Sequence, residues 1–185
     1  VRCFEDPNVV HVDGNVNPLR DIETINLELI FADIETVEKR LDRAKKQLKA
    51  DKKYQAEIDL FEKIKKTLEE GKSARTINFS DEEKELLKDT YLLTLKPILY
   101  IANVSEEQLS KANEDKYVKQ VQDYAKTENA MVIPLCVKIE EELATLEEKD
   151  KKEMLEALGL EESGLDKVIK ASYDLLGLMS FLTAG

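Results

Sequence analysis

Apolar side chains follow a helical spacing through the first third of the chain. From residue 30 to residue 48 they recur at alternating intervals of four and three residues, which is the spacing of a coiled-coil seam. The pattern stops near residues 50–53, resumes at Tyr54 and ends before Gly71, a residue type suited to the end of a helix. The two stripes are Ile30, Ile34, Val37, Leu41, Ala44 and Leu48, and then Tyr54, Ile58, Phe61, Ile64 and Leu68. The sequence therefore predicts two antiparallel helices that cover each other's stripe.

Short apolar runs in the second half predict strands that alternate with helices. Residues 5–20 are rich in Asp, Asn, Pro and Gly and predict a loop, after which Asp21 is expected to cap the first helix. Ser80 and Glu83 form a capping-box pattern for a helix that runs to about Leu93. Strands are predicted at 97–103 and 131–137, and helices at 114–127 and 165–176. A strand, helix, strand order implies parallel pairing with a right-handed crossover.

These elements divide the chain into two parts. Residues 1–21 and 93–185 are predicted to form part of an α/β domain, with a parallel sheet flanked by helices. Residues 22–92 are predicted to form a helical coiled-coil insertion in that domain. Val1 to Phe4 have the pattern of the last residues of a strand, so we expect the chain to be a piece of a longer protein.

Composition narrows the class of protein. Charged residues make up 36% of the chain and the formal net charge is -11, which argues against general affinity for DNA or RNA because phosphates would be repelled. The two cysteines, Cys3 and Cys136, lack the spacing of a zinc site, and a reducing cytoplasm is the expected compartment. No apolar run is long enough to cross a bilayer, so no membrane partner is expected.

The ends of the two predicted strands carry the residues that are candidates for binding a nucleotide base. Asn103 ends the first strand and Glu106 follows three residues later, while Cys136, Val137 and Lys138 end the second. Ligands bind at the carboxyl ends of strands in open α/β sheets, so these two ends predict a base-reading site. The alternative is structural: Asn103 ends a strand and the residues after it cap the next helix.

The sequence shows few of the other residues that a nucleotide hydrolase needs. No G-x-x-x-x-G-K-[ST] run is present, so these residues alone do not predict a triphosphate cradle. His11, the one histidine, could orient or deprotonate an attacking water, or it could be a solvent-facing loop residue with no role. The lysines near the predicted hairpin tip could meet RNA phosphates, or they could form an ordinary solvated helix face. These lysines include Lys45, Lys46, Lys49 and Lys52.

Several separate motifs give the chain a family resemblance. K-P-I-L-Y-I-A-N-V-S-E, with R-C-F-E-D near the start and F-L-T-A-G at the end, resembles the YchF (Obg-like) ATPase family. The resemblance runs through the whole chain. It implies the C-terminal half of a P-loop nucleotide hydrolase domain of the translation-factor class, interrupted by a helical-hairpin coiled coil. The P-loop and switch regions would precede this chain and a TGS domain would follow it.

The resemblance also implies a function and a set of residue roles. The N-x-x-E motif of Asn103 and Glu106 replaces the common guanine-reading motif N-K-x-D, and in the family this change would favour ATP over GTP. Asn103, Val104 and Glu106 would shape the base pocket, and residues 136–138 would form the second base-contacting loop. His11 would position the attacking water. The Mg²⁺ ligands would lie outside this chain, no metal site is expected within it, and the isolated fragment is expected to be inactive. The ribosome (large subunit or 70S) would be the partner. The rival hypothesis is a non-catalytic interaction module in which the helical hairpin docks a ribosomal or protein partner.

Overall fold

The computed structural model describes residues 1–8, 14–49 and 51–182. The chain forms two compact units, one from residues 1–21 with 98–185 and one from residues 22–97. Its α-helices and strands are α1 (Pro18–Leu48), α2 (Tyr54–Glu69), α3 (Asp81–Leu87), β1 (Leu99–Asn103), α4 (Lys116–Thr127), β2 (Met131–Leu135), α5 (Val137–Ala144), α6 (Glu148–Ala157) and α7 (Gly164–Leu176). Two 3₁₀ helices cover Ala74–Thr76 and Leu109–Glu114.

The first helix begins four residues earlier than the sequence predicts. The Arg20 N–H donates to Oδ1 of Asn17 at 3.2 Å, so Asn17 caps the helix instead of Asp21. Pro18 then occupies the first helical position, where its fixed φ angle and missing N–H are favourable. Asp21 lies in the first turn, where a carboxylate suits the positive end of the helix dipole.

The core of the second unit is built on the two predicted apolar stripes. Phe61 and Ile64 of α2 are fully buried beside Val37 and Ala44 of α1. Lys45 forms an ion pair with Glu62 at 2.8 Å, and Lys65 with Glu38 at 2.7 Å. Residue numbers rise along one helix as they fall along the other, so the two helices are antiparallel. Gly71 follows α2 with a φ of 75°, the left-handed conformation that glycine adopts at little cost.

A buried carboxylate fixes the end of the second unit. Asp33 of α1 is 2% exposed, and it accepts hydrogen bonds from the backbone N–H of Leu93 at 2.8 Å and of Thr94 at 2.7 Å. The Thr94 hydroxyl donates to the same side chain at 2.7 Å. These bonds compensate the desolvation of the carboxylate and attach residues 93–94 to the middle of α1.

The third helix is shorter than predicted because of these bonds. Ser80 and Glu83 form the predicted capping box, with both reciprocal hydrogen bonds present. The helix ends at Leu87, however, and not near Leu93. Residues 88–90 form a turn, and Tyr91 takes a φ of 52°. The chain has therefore left the helix before Leu93 and Thr94, whose N–H groups donate to Asp33. The sequence contains a helical pattern here that tertiary hydrogen bonds override.

The first unit is organised on a parallel sheet. Strand β1 pairs in parallel with β2, from Leu99 opposite Met131 to Asn103 opposite Leu135. Arg2 forms a parallel bridge with Asn103 on the other side of β1, as the pattern of residues 1–4 predicts. Helix α4 connects the strands and packs on them, with Val118, Val121 and other side chains buried. The predicted α/β architecture is therefore confirmed at the level of a parallel pair of strands flanked by helices.

The strands and crossover helix are shorter than predicted at their ends. Strand β1 begins at Leu99, two residues after Pro97, which has no N–H for the sheet. Strand β2 ends at Leu135 because the chain turns into α5 at Val137. Helix α4 begins at Lys116 and not at residue 114, since the Asp115 side chain caps it by accepting from two N–H groups.

Helix α7 is attached to α5 by a carboxylate. Glu140 accepts hydrogen bonds from the N–H groups of Gly164 at 2.7 Å and Leu165 at 3.0 Å. A Cβ on Gly164 would lie 2.8 Å from both the Glu140 Oε1 and the Leu135 Cβ, so only glycine fits without displacement. The outer face of the helix is apolar, with Ile169 at 47% and Leu176 at 57% exposure.

Replacing Asp33 should destabilise the second unit. We expect Asp33→Ala to lower the free energy of unfolding by about 3 kcal/mol, because three donors lose their acceptor in a buried site. Urea unfolding measures this difference. Asp42→Ala is the matched control on the exposed side of the same helix and should change stability by less than about 0.5 kcal/mol. Equal losses in both variants would contradict the role given to Asp33.

Candidate functional site

A cavity of about 590 Å³ opens where β1 and β2 end in the first unit. It is lined by Phe4, Glu5, Asp6, Asn103, Val104, Ser105, Glu106, Glu107, Cys136, Val137, Lys138 and Glu141. All six residues predicted to shape a base pocket are among them. They meet because the carboxyl ends of parallel neighbours lie at the same edge of a sheet. The roles given to these six residues stay predictions.

Asn103 connects the two strand ends directly. Its Oδ1 accepts a hydrogen bond from the Val137 N–H at 3.1 Å, so its side chain links the end of β1 to the start of α5. Its backbone N–H donates to the Val1 carbonyl and its carbonyl accepts from the Cys3 N–H, both at 2.8 Å. The amide nitrogen of the side chain is not used in the Val137 bond and stays available for an acceptor at the cavity.

Glu106 and Lys138 face each other across the mouth of the cavity. The Lys138 Nζ lies 4.0 Å from the Glu106 Oε2, and the two side chains are 71% and 56% exposed. An ion pair this exposed contributes little to stability and can exchange for a ligand. Opposite charges therefore lie at the entrance, Glu106 on the loop after β1 and Lys138 in the first turn of α5.

Val104 and Cys136 differ from the other predicted residues in their burial. Val104 is 1% exposed and Cys136 is 3% exposed, so both side chains belong mainly to the floor of the cavity. The Val137 side chain is 51% exposed at the rim. A ligand that enters would therefore meet the exposed side chains of Val137 and Lys138 and the first turn of α5, whose Val137 N–H is already bonded to Asn103.

The structure adds Gln108, which the sequence analysis missed, to the loop after β1. Its Oε1 accepts from the Ser105 N–H at 2.9 Å, and its Nε2 donates to Asp115 at 2.8 Å and to the Cys3 carbonyl at 3.4 Å. The side chain therefore holds the Glu106 loop against the first segment of the chain. The signal was present, since Ser105 and Gln108 have capping-box spacing, although a turn and a 3₁₀ helix follow here.

Glu5 forms part of the opposite wall. The Tyr117 hydroxyl donates to its carboxylate and Lys116 lies 3.5 Å away, and these contacts lower the pKa of Glu5, with the Tyr117 hydrogen bond as the largest cause. The side chain is thus ionised at neutral pH and attached to the start of α4. The wall carries negative charge on this side.

His11, the predicted catalytic residue, lies outside the described residues. Within residues 1–8, 14–49 and 51–182, no three His, Cys, Asp or Glu side chains group closely enough to hold a metal ion. In the same ranges no helix combines the length and the apolar character needed to cross a membrane.

The parallel strands and their flanking helices place the chain in the α/β class, with a cavity at the ends of the strands. Comparison with known proteins places it more closely. It is 51% identical over its whole length to the ribosome-binding ATPase YchF of Bacillus subtilis, and 42% identical to that of Escherichia coli O157:H7. It also matches the structure of the Schizosaccharomyces pombe YchF GTPase with a TM-score of 0.83 and 31% identity, over all of this chain and 51% of that one. No protein-family model matches the chain.

The chain is therefore a homologue of the YchF proteins over its entire length. It spans about half the length of the curated relatives it matches, at 51% and 50% for the two named here. The predicted resemblance is confirmed.

Burial makes the two cysteines poor nucleophiles. Both are free and buried, and burial raises the pKa of Cys3 to about 11. The neutral thiol therefore persists in the folded chain through the physiological range, and thiolate is the reactive form.

We expect iodoacetamide at pH 8 to alkylate Cys3 at least about 100-fold more slowly in the folded chain than in urea. The raised pKa also means that burial of the neutral thiol stabilises the fold below the unfolded pKa, near 9, and that this contribution is lost as the pH rises towards 11. Peptide mass mapping reports Cys3 and Cys136 separately. Rapid alkylation of folded Cys3 would contradict the assignment.

Proposed function

We propose that the intact protein binds and hydrolyses ATP, with weaker activity on GTP, and that it works on the ribosome. The curated relatives named above carry the description ribosome-binding ATPase, which supports the proposal. A ribosomal partner would place the protein in the cytoplasm. Since this chain covers about half of those relatives, the activity belongs to the longer protein. The isolated 185 residues are expected to bind a base weakly and to hydrolyse nothing.

The bond between the Asn103 side chain and the Val137 N–H carries the proposal. It supports a pocket in which the two base-reading loops are held together before any ligand arrives. Preorganised polar groups discriminate strongly between ligands, because a wrong ligand leaves them unpaired. Guanine-reading sites of this class place a shorter Asp where Glu106 stands. The added methylene would move the carboxylate away from that position, and the resemblance to the YchF family associates this change with ATP, so ATP is the expected nucleotide.

Hydrolysis needs parts that this chain does not supply. The sequence has no G-x-x-x-x-G-K-[ST] run, and we assign the phosphate-binding loop and the Mg²⁺ ligands to the rest of the intact protein. The role left to this chain is to hold the base and to position a water through His11. That histidine follows the segment that Gln108 and Tyr117 attach to the first unit.

Contact with the ribosome is assigned to the predicted coiled-coil insertion. Lys45 and Lys46 lie in the last turn of α1, and Lys49 and Lys52 lie between α1 and α2. Lys45 is paired with Glu62, whereas the other three form no ion pair with any described residue. Unpaired lysines at one end of a helical pair support contact with phosphates, in a protein whose overall charge is otherwise repulsive.

The second candidate is a non-catalytic interaction module. The antiparallel pair of α1 and α2, with its own core, favours it because such a unit can dock a partner without nucleotide chemistry. In that hypothesis the first unit serves as a scaffold.

Asn103→Ala in the intact protein should weaken ATP binding about tenfold, because the two loops lose their cross-link and the base loses an amide. Titration with a fluorescent ATP analogue measures the affinity. Asn113→Ala is the matched control: this residue is exposed, bonds to Gln122 at 2.9 Å and lies away from the cavity. Unchanged affinity in the Asn103 variant, or equal kcat/KM for ATP and GTP in the natural protein, would contradict the proposal.

Two further variants separate the two candidate functions. His11→Ala should lower kcat for ATP about 100-fold and leave nucleotide affinity nearly unchanged, since the residue acts on water and not on the base. Replacing Lys45, Lys46, Lys49 and Lys52 by Gln should weaken ribosome binding more at low salt than at high salt and spare ATP hydrolysis. Sedimentation with ribosomes and a phosphate-release assay measure the two effects. If His11→Ala had no effect and the lysine variant lost all function, the interaction module would be the correct reading.

A further inference from the structure

The second unit contains a cavity that the proposed function does not use. It measures about 500 Å³ and lies between the 3₁₀ helix Ala74–Thr76, α3 and the segment that follows α3. Its wall is apolar and consists of Ile77, Phe79, Leu87, Leu92 and Leu95. This volume is within the range of sites that hold small ligands or side chains of a bound peptide.

Every charged side chain that lines this cavity is basic. The four are Arg75, Lys84, Lys88 and Lys96. No carboxylate lines it, in a chain with 39 acidic and 28 basic residues. Lys84 and Lys88 form ion pairs with neighbours on α3, but exposed pairs of this kind exchange readily for another anion. The rim is therefore complementary to negative charge, against the sign of the whole chain.

Arg75 gives an independent indication of a missing partner. Its Nε is buried, and no described residue accepts a hydrogen bond from it. A buried donor without a partner is unfavourable and is rare in folded proteins. The Nε itself has no surface that a ligand can reach unless the side chain moves, but Arg75 as a whole is only half-buried and lines the cavity, where its planar guanidinium suits a carboxylate.

Tyr91 offers an anchor at the edge of the cavity. Its side chain is 76% exposed, and its φ of 52° is costly for a residue with a Cβ. An aromatic ring held open to solvent in this way gains from burial under a partner.

The wall distinguishes between two anionic partners. Single-stranded RNA needs flat aromatic faces on which bases stack, and here Lys63 already lies over the Phe79 ring at 5.4 Å. Tyr91 is then the aromatic side chain without such a lysine contact, and the other apolar side chains of the wall, apart from Phe79, are aliphatic. A cavity with a mainly aliphatic wall and basic residues at its rim suits a peptide whose apolar side chain is flanked by carboxylates.

We propose that this cavity is a docking site for an acidic peptide segment of a partner protein, with a bulky apolar side chain inserted and flanking carboxylates bound by Arg75 and Lys96. This site is separate from the nucleotide cavity and from the four lysines assigned to the ribosome. It gives the second unit a protein partner of defined chemistry.

The test uses the intact protein and fluorescein-labelled peptides of about twelve residues, long enough to cross a site of this size. Each peptide has a central Leu or Phe, flanked by Asp and Glu in one series, by Asn and Gln in a second and by Lys in a third. Fluorescence polarisation gives the affinities. We expect the acidic series to bind at least about tenfold more tightly than the neutral one, because charge complementarity and apolar burial act together.

Variants locate the binding. Arg75→Gln with Lys96→Gln should weaken the acidic peptides about tenfold, and Tyr91→Gly should weaken them while relieving the strained backbone. The control, Arg43→Gln with Lys66→Gln, removes the same charges from exposed positions of the same unit outside the cavity. It should change affinity less than about twofold, since distant surface charges are screened.

Several outcomes would overturn the proposal. One is equal binding of the acidic and neutral series, and another is equal loss in the cavity and control variants. Tighter, Arg75-dependent binding of an oligouridylate would assign the site to RNA instead. Binding to the 185-residue chain but not to the intact protein would show that the cavity is an internal contact of the longer molecule.

Discussion

Asn103 binds two separate segments of the first unit, one with its backbone and one with its side chain. Its backbone pairs with Val1 and Cys3, and its Oδ1 holds the first amide of α5. Each hydrogen bond contributes only about 1 kcal/mol, but together they fix where two loops stand relative to the sheet. The cavity at the strand ends exists in its present form because these loops are held. Gln108 supports the same arrangement from the side of Cys3.

Local pattern was enough to predict the helices and their buried faces. The stripe on α1 and α2 is buried as the heptad spacing predicts, and the capping box at Ser80 and the glycine after α2 are both present. These signals lie within a few residues of the structures they specify. The predicted end of α3 was wrong. Asp33 binds the N–H groups of Leu93 and Thr94 from 60 residues away, and a local sequence pattern does not report a contact between residues that far apart.

The candidate site, like the fold, was predicted from the sequence only in part. The sequence could bring Asn103, Glu106 and residues 136–138 to one cavity, since parallel strands end at a common edge. It could not reveal that Val104 turns inward, because a side chain after a strand takes its direction from the following turn. It also did not reveal the basic rim of the second cavity. Arg75 and Lys96 are 21 positions apart and meet only after the 3₁₀ helix and α3 have folded.

Glu140 and Gly164 have a mechanical consequence. The absence of a side chain at Gly164 lets α7 pack closely against Leu135 and Glu140. Both carboxylate oxygens of Glu140 accept hydrogen bonds from the first turn of α7. Lys138, at the mouth of the cavity, precedes Glu140 by two residues on the same helix. Because Glu140 joins the first turn of α7 to α5, a displacement of α7 would also act on the helix that carries Lys138.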